Sequence, residues 1–343
     1  MKRKTRKFTI IATVLFVLTV CGITAVYQFV FLAPVTGGHD FNLYLYPDAS
    51  SQEIVSMVRE ADPGAKTMGF QIWMKLWKYD MNPQSGCFTV RGNASAKSVA
   101  RTICMGYQTP VSISLRSVRK TGQMARDIAR QVMADSAQIA VLLNDEVFLD
   151  SLGYTPATIF CMIIPDTYQV YWNVTPRALI ERLARERDLF WNTERKEKAA
   201  SIGLDEVQVT TLASIIEEET AKADELPVVA GLYMNRLKKG IPLQADPTVI
   251  FALGERPKRV LKTHLQVDSP YNTYRHTGLP PAPIRFVNRR SIDAVLDYTS
   301  HSYIYMCAKE DFSGYHNFTA SYSKHMENAR RYQRALSRRG ITK

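Results

Sequence analysis

An uncharged apolar segment near the amino terminus most constrains how this chain can fold. Residues 8–38 contain no Asp, Glu, Lys or Arg, and their densest part, residues 8–35, reads FTIIATVLFVLTVCGITAVYQFVFLAPV. A helix needs about 20 apolar residues to cross the hydrocarbon core of a bilayer, so this segment is long enough to span it with some tilt. We therefore predict a single transmembrane anchor over residues 8–35.

The residues on either side of the anchor predict its orientation. Five basic residues and no acidic residue lie within residues 1–7. Basic flanks stay in the cytoplasm, and the aromatic residues Tyr27, Phe29 and Phe31 suit the opposite membrane interface. We expect a cytoplasmic basic segment over residues 1–7 and a folded part outside the cytoplasm from about residue 36.

Other interpretations of the apolar segment fit less well. A cleaved signal peptide has a shorter apolar region of about 7–15 residues and a small-residue cleavage site. Cleavage before Cys21, as in a lipoprotein, meets a bulky Val20 at the preceding position, and the apolar run continues beyond it. A buried core helix is disfavoured by the length and by the basic flank. An uncleaved anchor is the better prediction.

The net charge of +12 lies at the two ends of the chain. Residues 1–39 contribute +5 and residues 324–343 contribute +6, which leaves +1 for residues 40–323. A nearly neutral body argues against a broad nucleic-acid-binding face. The basic tail over residues 339–343 is either solvated or in contact with an anionic surface. At about 100–200 residues per domain, the length of 343 residues predicts about two domains.

The cysteines do not form a disulfide scaffold, because the chain has only five of them. Cys87, Cys104, Cys161 and Cys307 follow the anchor, and an oxidising exterior permits pairing. Buried free thiols are an equally good interpretation. No Cys and His residues have the spacing of metal ligands, so we predict no metal.

The periodicity outside the anchor predicts an α+β fold with two parts. A small α+β module over residues 36–118 combines strands at 41–46, 86–92 and 111–115 with capped helices at 51–60 and up to residue 104. A larger mixed α/β domain follows over residues 119–338. There we predict helices at 121–135, 137–143, 176–190, 206–222, 226–239 and 321–338, a hairpin at 303–308 and 315–318, a loop at 163–168 and a polar link at 192–205.

The helix predicted over residues 206–222 carries Glu217, Glu218 and Glu219 in succession. Successive helix positions differ by about 100°, so the three carboxylates cannot all face one site. Glu218 can point to water, whereas Glu217 or Glu219 can border the apolar stripe, where desolvation raises the pKa of a carboxyl. Such a carboxyl suits a general acid near neutral pH. A solvated run of acids is the plainer interpretation.

Polar residues that follow this helix suit a sugar-binding site. A short helix is predicted to begin at Asp246, its expected N-cap, and Pro247. In the loop at 271–274, Tyr271 and Tyr274 flank an Asn-Thr pair, and the nearby Pro and Gly residues give this loop a fixed conformation. The rings of such tyrosines can stack on sugars. These polar residues could instead serve only to cap the helix and close the loop. His316 could instead be a structural residue held by hydrogen bonds. The candidates in these segments are Gln244, Asp246, Thr248, Tyr271, Asn272, Tyr274 and His316.

Five motifs, taken in order, resemble those of the endolytic murein transglycosylases of the YceG-like family. They are ASIIEEET at 213–220, NRL at 235–237, LQADPTV at 243–249, YNTY at 271–274 and GLPP at 278–281. The resemblance extends over about residues 160–335, and the anchor and small module match the family's architecture, in which that module is LysM-like. Ile163 and Ile164 stand where the family usually has an aromatic-containing segment, and the small module is much less similar.

The resemblance implies an endolytic lytic transglycosylase that cleaves the bond between N-acetylmuramic acid and N-acetylglucosamine in nascent peptidoglycan. The product carries a 1,6-anhydro end, and cleavage terminates or sizes the strands. Glu217 is implied as the catalytic acid and base, with no cofactor. Substrate-binding residues are implied at Glu219, Thr220, Asn235, Gln244, Asp246, Thr248, Tyr271, Asn272, Tyr274 and His316.

The resemblance also implies where the protein acts and with what. It implies a single-pass protein of the inner membrane with a periplasmic catalytic domain. The implied partners are peptidoglycan strands and peptidoglycan synthases, with no nucleic acid. Two other functions stay open. A hydrolytic muramidase would need a second carboxylate, for which Asp246 is the nearest candidate, and a non-catalytic scaffold would only bind peptidoglycan.

Overall fold

The computed structural model describes residues 2–255, 257 and 260–340, without the side chains of residues 2–6, 8 and 31. The end of the predicted basic tail, residues 341–343, and the basic side chains at positions 2–6 lie outside the described residues. The fold is a mixture of helices and strands, as the sequence predicts, and the strands form two-stranded sheets.

Helix α1 (Lys2–Tyr27) contains residues 8–27 of the predicted anchor and continues into a π-helical turn, Gln28–Leu32. The predicted end of the anchor is too late, because Val35 is buried in the core of the first unit. The apolar part of the helix and its turn, Thr9–Val30, spans 22 residues and is long and apolar enough to cross a membrane. None of that segment is buried inside the protein, which excludes a core helix. Length and composition are therefore consistent with a single-pass membrane protein.

The chain forms two compact units. The first contains the residues up to Ile113 together with Gln131–Met133 and Gln169–Val174, and the second contains Ser114–Arg130, Ala134–Tyr168 and the described residues from Thr175 onward. The boundaries predicted from the sequence, 36–118 and 119–338, stay predictions.

The first unit is built on one antiparallel strand pair. Strand β1 (Phe41–Leu45) pairs with β2 (Gly86–Val90), and Leu43 lies opposite Phe88 in the core. The helices that cover this pair are α2 (Ser51–Ala61), α3 (Met68–Leu76) and α4 (Ala96–Cys104). The sequence predicts α2 and α4 from their serine caps but misses α3, whose N-cap Thr67 makes no side-chain capping bond.

Most of the second unit is helical. Its helices are α5 (Thr121–Ala129), α6 (Ser136–Leu142), α7 (Glu146–Ser151), α8 (Ile159–Met162), α9 (Pro176–Phe190), α10 (Thr193–Ser201), α11 (Glu206–Glu219), α12 (Leu226–Lys238), α13 (Asp246–Leu253), α14 (Arg289–Leu296) and α15 (Tyr322–Arg338). In this unit, strand β5 (Tyr305–Ala308) pairs with β6 (His316–Thr319).

The chain also has a strand β3 (Val111–Ser114), which pairs with β4 (Thr167–Val170).

Helix α11 lies at the centre of this second unit. Every residue from Val209 to Ile216 is buried, and the helix packs against α12 and α14. The buried hydroxyls of Thr210, Thr211 and Ser214 donate to backbone carbonyls of the same helix, which makes their burial tolerable. The last turn of α11 leaves this core, so the residues there lie at the border between the apolar interior and solvent.

The structure corrects several predicted element bounds in this unit. Residues 192–205 are not only a link, since the side chain of Asn192 caps α10. The segment 163–168 is not wholly a loop, because β4 begins at Thr167. The helix predicted over 121–135 ends at Ala129, and Asp135 instead caps α6.

All five cysteines lie in the described part of the chain, and all five are free. Cys87 and Cys161 are buried, and burial raises the pKa of the Cys161 thiol to about 12. The sequence leaves open both disulfide pairing and free thiols, and in the structure the thiols are free.

Candidate active site

The three successive glutamates at the end of α11 face three different cavities. Glu217 lines one of about 420 Å³, Glu218 one of about 650 Å³ and Glu219 one of about 330 Å³. This divergence follows from the helical rotation between neighbouring residues. Each carboxylate therefore has its own environment, and the three can be compared as candidates for a catalytic acid.

Glu217 is held by both oxygens. The backbone N–H of Asn288 donates to Oε2 at 2.9 Å, and the Asn288 side chain donates to Oε1 at 2.7 Å. Arg285 lies 3.6 Å from Oε1, and only 8% of the Glu217 side chain is exposed. Because Asn288 directly precedes α14, Glu217 fastens the end of α11 to the start of that helix.

Glu218 is fully ion-paired. Arg119 donates to it through Nε at 2.6 Å and also through Nη2, and Arg285 donates through Nη1 at 2.5 Å. The side chain is only 7% exposed, so the expectation that Glu218 points to water is wrong. Two guanidinium groups compensate this buried charge.

Glu219 has no cation in direct contact among the described residues. The hydroxyl of Tyr233 donates to its Oε1 at 3.0 Å. The pKa of Glu219 is raised to about 7, chiefly by burial, and the carboxylates of Asp246 and Glu218 act in the same direction. The Tyr233 hydrogen bond and the charge of Arg236 act in the opposite direction. The result is a carboxyl group that changes its protonation near neutral pH.

The cavity of Glu219 brings together three more of the predicted substrate-binding residues: Gln244, Asp246 and Tyr274. The hydroxyl of Tyr274 donates to Oδ1 of Asp246 at 2.6 Å. Gln244 has a left-handed backbone with φ of 52°, and its N–H donates to the carbonyl of Thr273 at 3.0 Å. The other lining residues are Leu232, Tyr233, Arg236, Leu243, Met306 and His325.

Arg236 is a residue of this cavity that the sequence candidates do not include. Its guanidinium donates to the carbonyls of Ile304 at 2.7 Å and Leu243 at 2.9 Å, and to Oε1 of Gln244 at 3.3 Å. It therefore fixes the segment that carries Gln244. The sequence could have indicated this residue, because Arg236 stands three residues after Tyr233 and residues at this spacing lie on the same side of a helix.

Asp246 does not cap α13. The N-cap is Ala245, without a side-chain capping bond, and Asp246 is the first residue of the helix. The predicted N-cap is therefore wrong by one position. Its carboxylate instead accepts the bond from Tyr274, which keeps it at the cavity.

Three predicted residues near this segment hold the fold together. Asn272 is fully buried and donates to the carbonyls of Leu265 at 3.0 Å and Val267 at 2.8 Å. Thr248 is also buried and donates to the carbonyl of Ala245, and Tyr271 packs on the ring of Phe251. The structure does not place these side chains on the cavity of Glu219.

The remaining predicted residues lie outside the cavity of Glu219, and Thr220 lines the cavity of Glu217. The Thr220 hydroxyl donates to Glu225 at 3.0 Å, and Nδ1 of His316 lies 2.9 Å from the same carboxylate. Asn235 donates to the carbonyl of His301 at 2.7 Å. Among the described residues, no cluster of three or more His, Cys, Asp or Glu is placed to hold a metal ion.

Known proteins resemble this chain in sequence and in fold. The sequence model of the YceG-like family matches residues 43–331. The endolytic murein transglycosylase of Bacillus subtilis (strain 168) is 26% identical over 317 residues, which are 85% of this chain and 84% of that protein. The endolytic murein transglycosylase of Streptococcus pneumoniae (strain ATCC BAA-255 / R6) is 27% identical over 155 residues, which are 43% of this chain and 27% of that protein.

A solved structure has the same fold. The crystal structure of a YceG-like protein from Listeria monocytogenes superimposes with a TM-score of 0.58 at 23% identity. The match covers 84% of this chain and 98% of that chain. The likeness therefore extends over nearly all of the solved chain.

Proposed function

This chain belongs to the YceG-like family of murein transglycosylases, and we propose that it cleaves the bond between N-acetylmuramic acid and N-acetylglucosamine in nascent peptidoglycan strands. The cut is internal, and the muramic acid end closes to a 1,6-anhydro ring. Strand length is set by where this cleavage occurs.

The observation that carries this proposal is the environment of Glu219. A general acid must hold a proton near neutral pH and release it in the transition state, which a carboxyl with a pKa of about 7 can do. Glu217, the residue implied by the resemblance, has both oxygens engaged by Asn288. We therefore propose Glu219, rather than Glu217, as the catalytic acid.

Glu219 acts twice in the proposed reaction. Its proton moves to the glycosidic oxygen as the bond from that oxygen to C1 of the muramic acid breaks, and the N-acetylglucosamine leaves with a free hydroxyl. The carboxylate then takes the proton from the C6 hydroxyl of the same muramic acid, whose oxygen attacks C1. The residue is thereby restored and no water is consumed. Because the attacking C6 hydroxyl belongs to the substrate itself, it is already close to C1.

The neighbours of Glu219 support each half of the reaction. The hydrogen bond from Tyr233 stabilises the carboxylate that forms when the proton leaves. The carboxylate of Asp246 stabilises the positive charge that develops at C1. Gln244 and Tyr274 contact the glycan from the same cavity. One carboxyl acid is sufficient for this chemistry.

A hydrolytic muramidase is the second candidate, because Asp246 shares the cavity with Glu219. A second carboxylate is what hydrolysis of a glycoside usually requires. Mass spectrometry of the products of purified glycan strands separates the two reactions, since a hydrolysed end is heavier by one water than an anhydro end. We expect anhydro ends. A protein that binds strands and releases no product would be a scaffold.

We propose that the reaction takes place at a membrane, where the anchor holds the protein and the first unit contributes to binding the glycan. We infer that the module over residues 36–118 is LysM-like and binds glycan. An aromatic group supports this role: the ring of Trp172, which belongs to this unit, lies 5.2 Å from the exposed Tyr44 and 5.1 Å from the exposed Tyr46. The anchor then holds the catalytic domain on the periplasmic side of the inner membrane, beside peptidoglycan synthases.

A further inference from the structure

His325 of helix α15 lines the cavity of Glu219 and has unused hydrogen-bonding capacity. Its Nδ1 is buried and has no hydrogen-bond partner in the described part of the chain. The interactions of its ring with described residues are ring contacts only, to Tyr305 and Tyr322. Nε2 is not among the buried nitrogens and has no hydrogen bond to a described residue, so it is the ring nitrogen that can reach a ligand in the cavity.

Stacking fixes the plane of this imidazole. The His325 ring lies 5.2 Å from the ring of Tyr305 at an interplanar angle of 22°. Arg236, which also lines the cavity, holds its guanidinium 5.8 Å from the centre of the same Tyr305 ring. The imidazole is therefore held against Tyr305 of β5, which fixes the plane of the ring.

The surroundings select one protonation state of His325. A hydrogen on the buried Nδ1 would be an unsatisfied donor, and leaving such a donor unpaired costs about 1–3 kcal/mol. The proton of the neutral ring therefore sits on Nε2. Burial lowers the pKa of His325, and the positive charge of Arg236 lowers the pKa further. Both effects disfavour the imidazolium.

Apart from the amide N–H₂ group of Gln244, the described polar side chains that line this cavity beside His325 offer no free neutral donor when the carboxyls are ionised. Glu219 and Asp246 are acceptors when ionised, and the amide oxygen of Gln244 is engaged by Arg236. The hydroxyls of Tyr233 and Tyr274 already donate to the two carboxylates. Glycan strands present hydroxyl oxygens and acetamido carbonyls, which accept hydrogen bonds.

We propose that His325 is a substrate-contacting residue, whose Nε2–H donates a hydrogen bond to an uncharged oxygen of the glycan and orients the sugar against Glu219. The inference rests on the proposed function of this cavity. It adds a contact from the carboxyl-terminal helix, which lies outside the five motifs.

Two substitutions separate this role from a structural one. His325→Gln keeps an N–H donor of similar reach but loses the aromatic ring, and His325→Phe keeps a ring against Tyr305 but loses the donor. With the full-length protein and purified glycan strands, we expect kcat/KM to fall about tenfold in the Phe variant, mainly through KM, and to stay within about threefold in the Gln variant.

The test depends on which of the two variants has the higher kcat/KM. If His325 serves only to pack against Tyr305, the Phe variant stays active and the Gln variant loses activity, which overturns the proposal. Thermal unfolding of both variants accounts for stability, and binding of strands is compared at a temperature where both are folded. Wild-type protein that releases no anhydro product would contradict the proposed function instead, so the two failures are distinguishable.

Discussion

The hydroxyl of Tyr233 donates a hydrogen bond to Oε1 of Glu219 over 3.0 Å. Tyr233 is buried on α12 and Glu219 ends α11, so the packing of two central helices sets this distance. The bond favours the carboxylate, whereas burial favours the neutral acid. The pKa of about 7 is the balance of these opposing effects.

Removing the hydroxyl should shift this balance towards the protonated acid. In Tyr233→Phe the carboxylate loses its hydrogen-bond donor, so the pKa of Glu219 rises. Since the acid must be protonated to start the reaction, we expect the alkaline limb of the pH–kcat profile to move upward by about one pH unit. An alkaline limb that stays in place or moves downward would contradict the assignment of this limb to Glu219.

The raised pKa also predicts how stability depends on pH. The pKa of Glu219 rises from 4.5 to about 7 on folding, so the folded state binds more protons than the unfolded state in that window. Wild-type stability therefore falls as pH rises through it. Glu219→Gln removes this loss, and we expect its unfolding free energy, relative to wild type, to increase by up to about 3 kcal/mol from pH 4 to pH 8.

Denaturant unfolding of both proteins at several pH values measures this difference. Glu217→Gln is the matched control at the same helix end. A stability difference between Glu219→Gln and wild type that does not vary with pH would show that the pKa of Glu219 is not raised by folding.

Glu217 should matter for stability more than for chemistry. Its two oxygens accept two bonds from Asn288, and a glutamine offers only one acceptor oxygen and places an N–H₂ against the second donor. We expect Glu217→Gln to cost about 1–3 kcal/mol of unfolding free energy. Asn288→Ala, which removes only the side-chain donor, should cost less. An unchanged melting temperature in Glu217→Gln would argue against this fastening role.

Asp246 distinguishes the two reaction types. In the lytic reaction Asp246 supplies only charge, so Asp246→Asn should lower kcat by about ten- to a hundredfold while every product keeps its anhydro end. Tyr274→Phe is the control, because it removes the bond to Asp246 and leaves the charge. Wild-type products with hydrolysed ends that disappear in Asp246→Asn would favour the muramidase.

Local signals predict several elements of this fold well. Thr175 followed by Pro176 predicts the start of α9, and the structure has the helix over the predicted residues. The hairpin of β5 and β6 follows from alternating residues around a turn. The divergence of the three glutamates follows from helix geometry alone. These features depend on residues that are close in sequence.

The choice among the three glutamates depends on residues that are distant in sequence. The side chains that bind them are Tyr233 for Glu219, Asn288 for Glu217 and Arg119 for Glu218, which stand 14, 71 and 99 residues away. No periodicity in the helix distinguishes them. For the same reason Asn272 and Thr248, which read as sugar ligands in a polar loop, are buried and bonded within the protein.

The most direct test of the account is the mass of the products that the two glutamine variants release from purified glycan strands. Full-length Glu217→Gln should still release fragments with 1,6-anhydro ends, at a temperature where it is folded. Full-length Glu219→Gln should be folded, should bind strands and should release no such fragments. Anhydro fragments from Glu219→Gln at the wild-type rate, or none from folded Glu217→Gln, would contradict the assignment of the catalytic acid to Glu219.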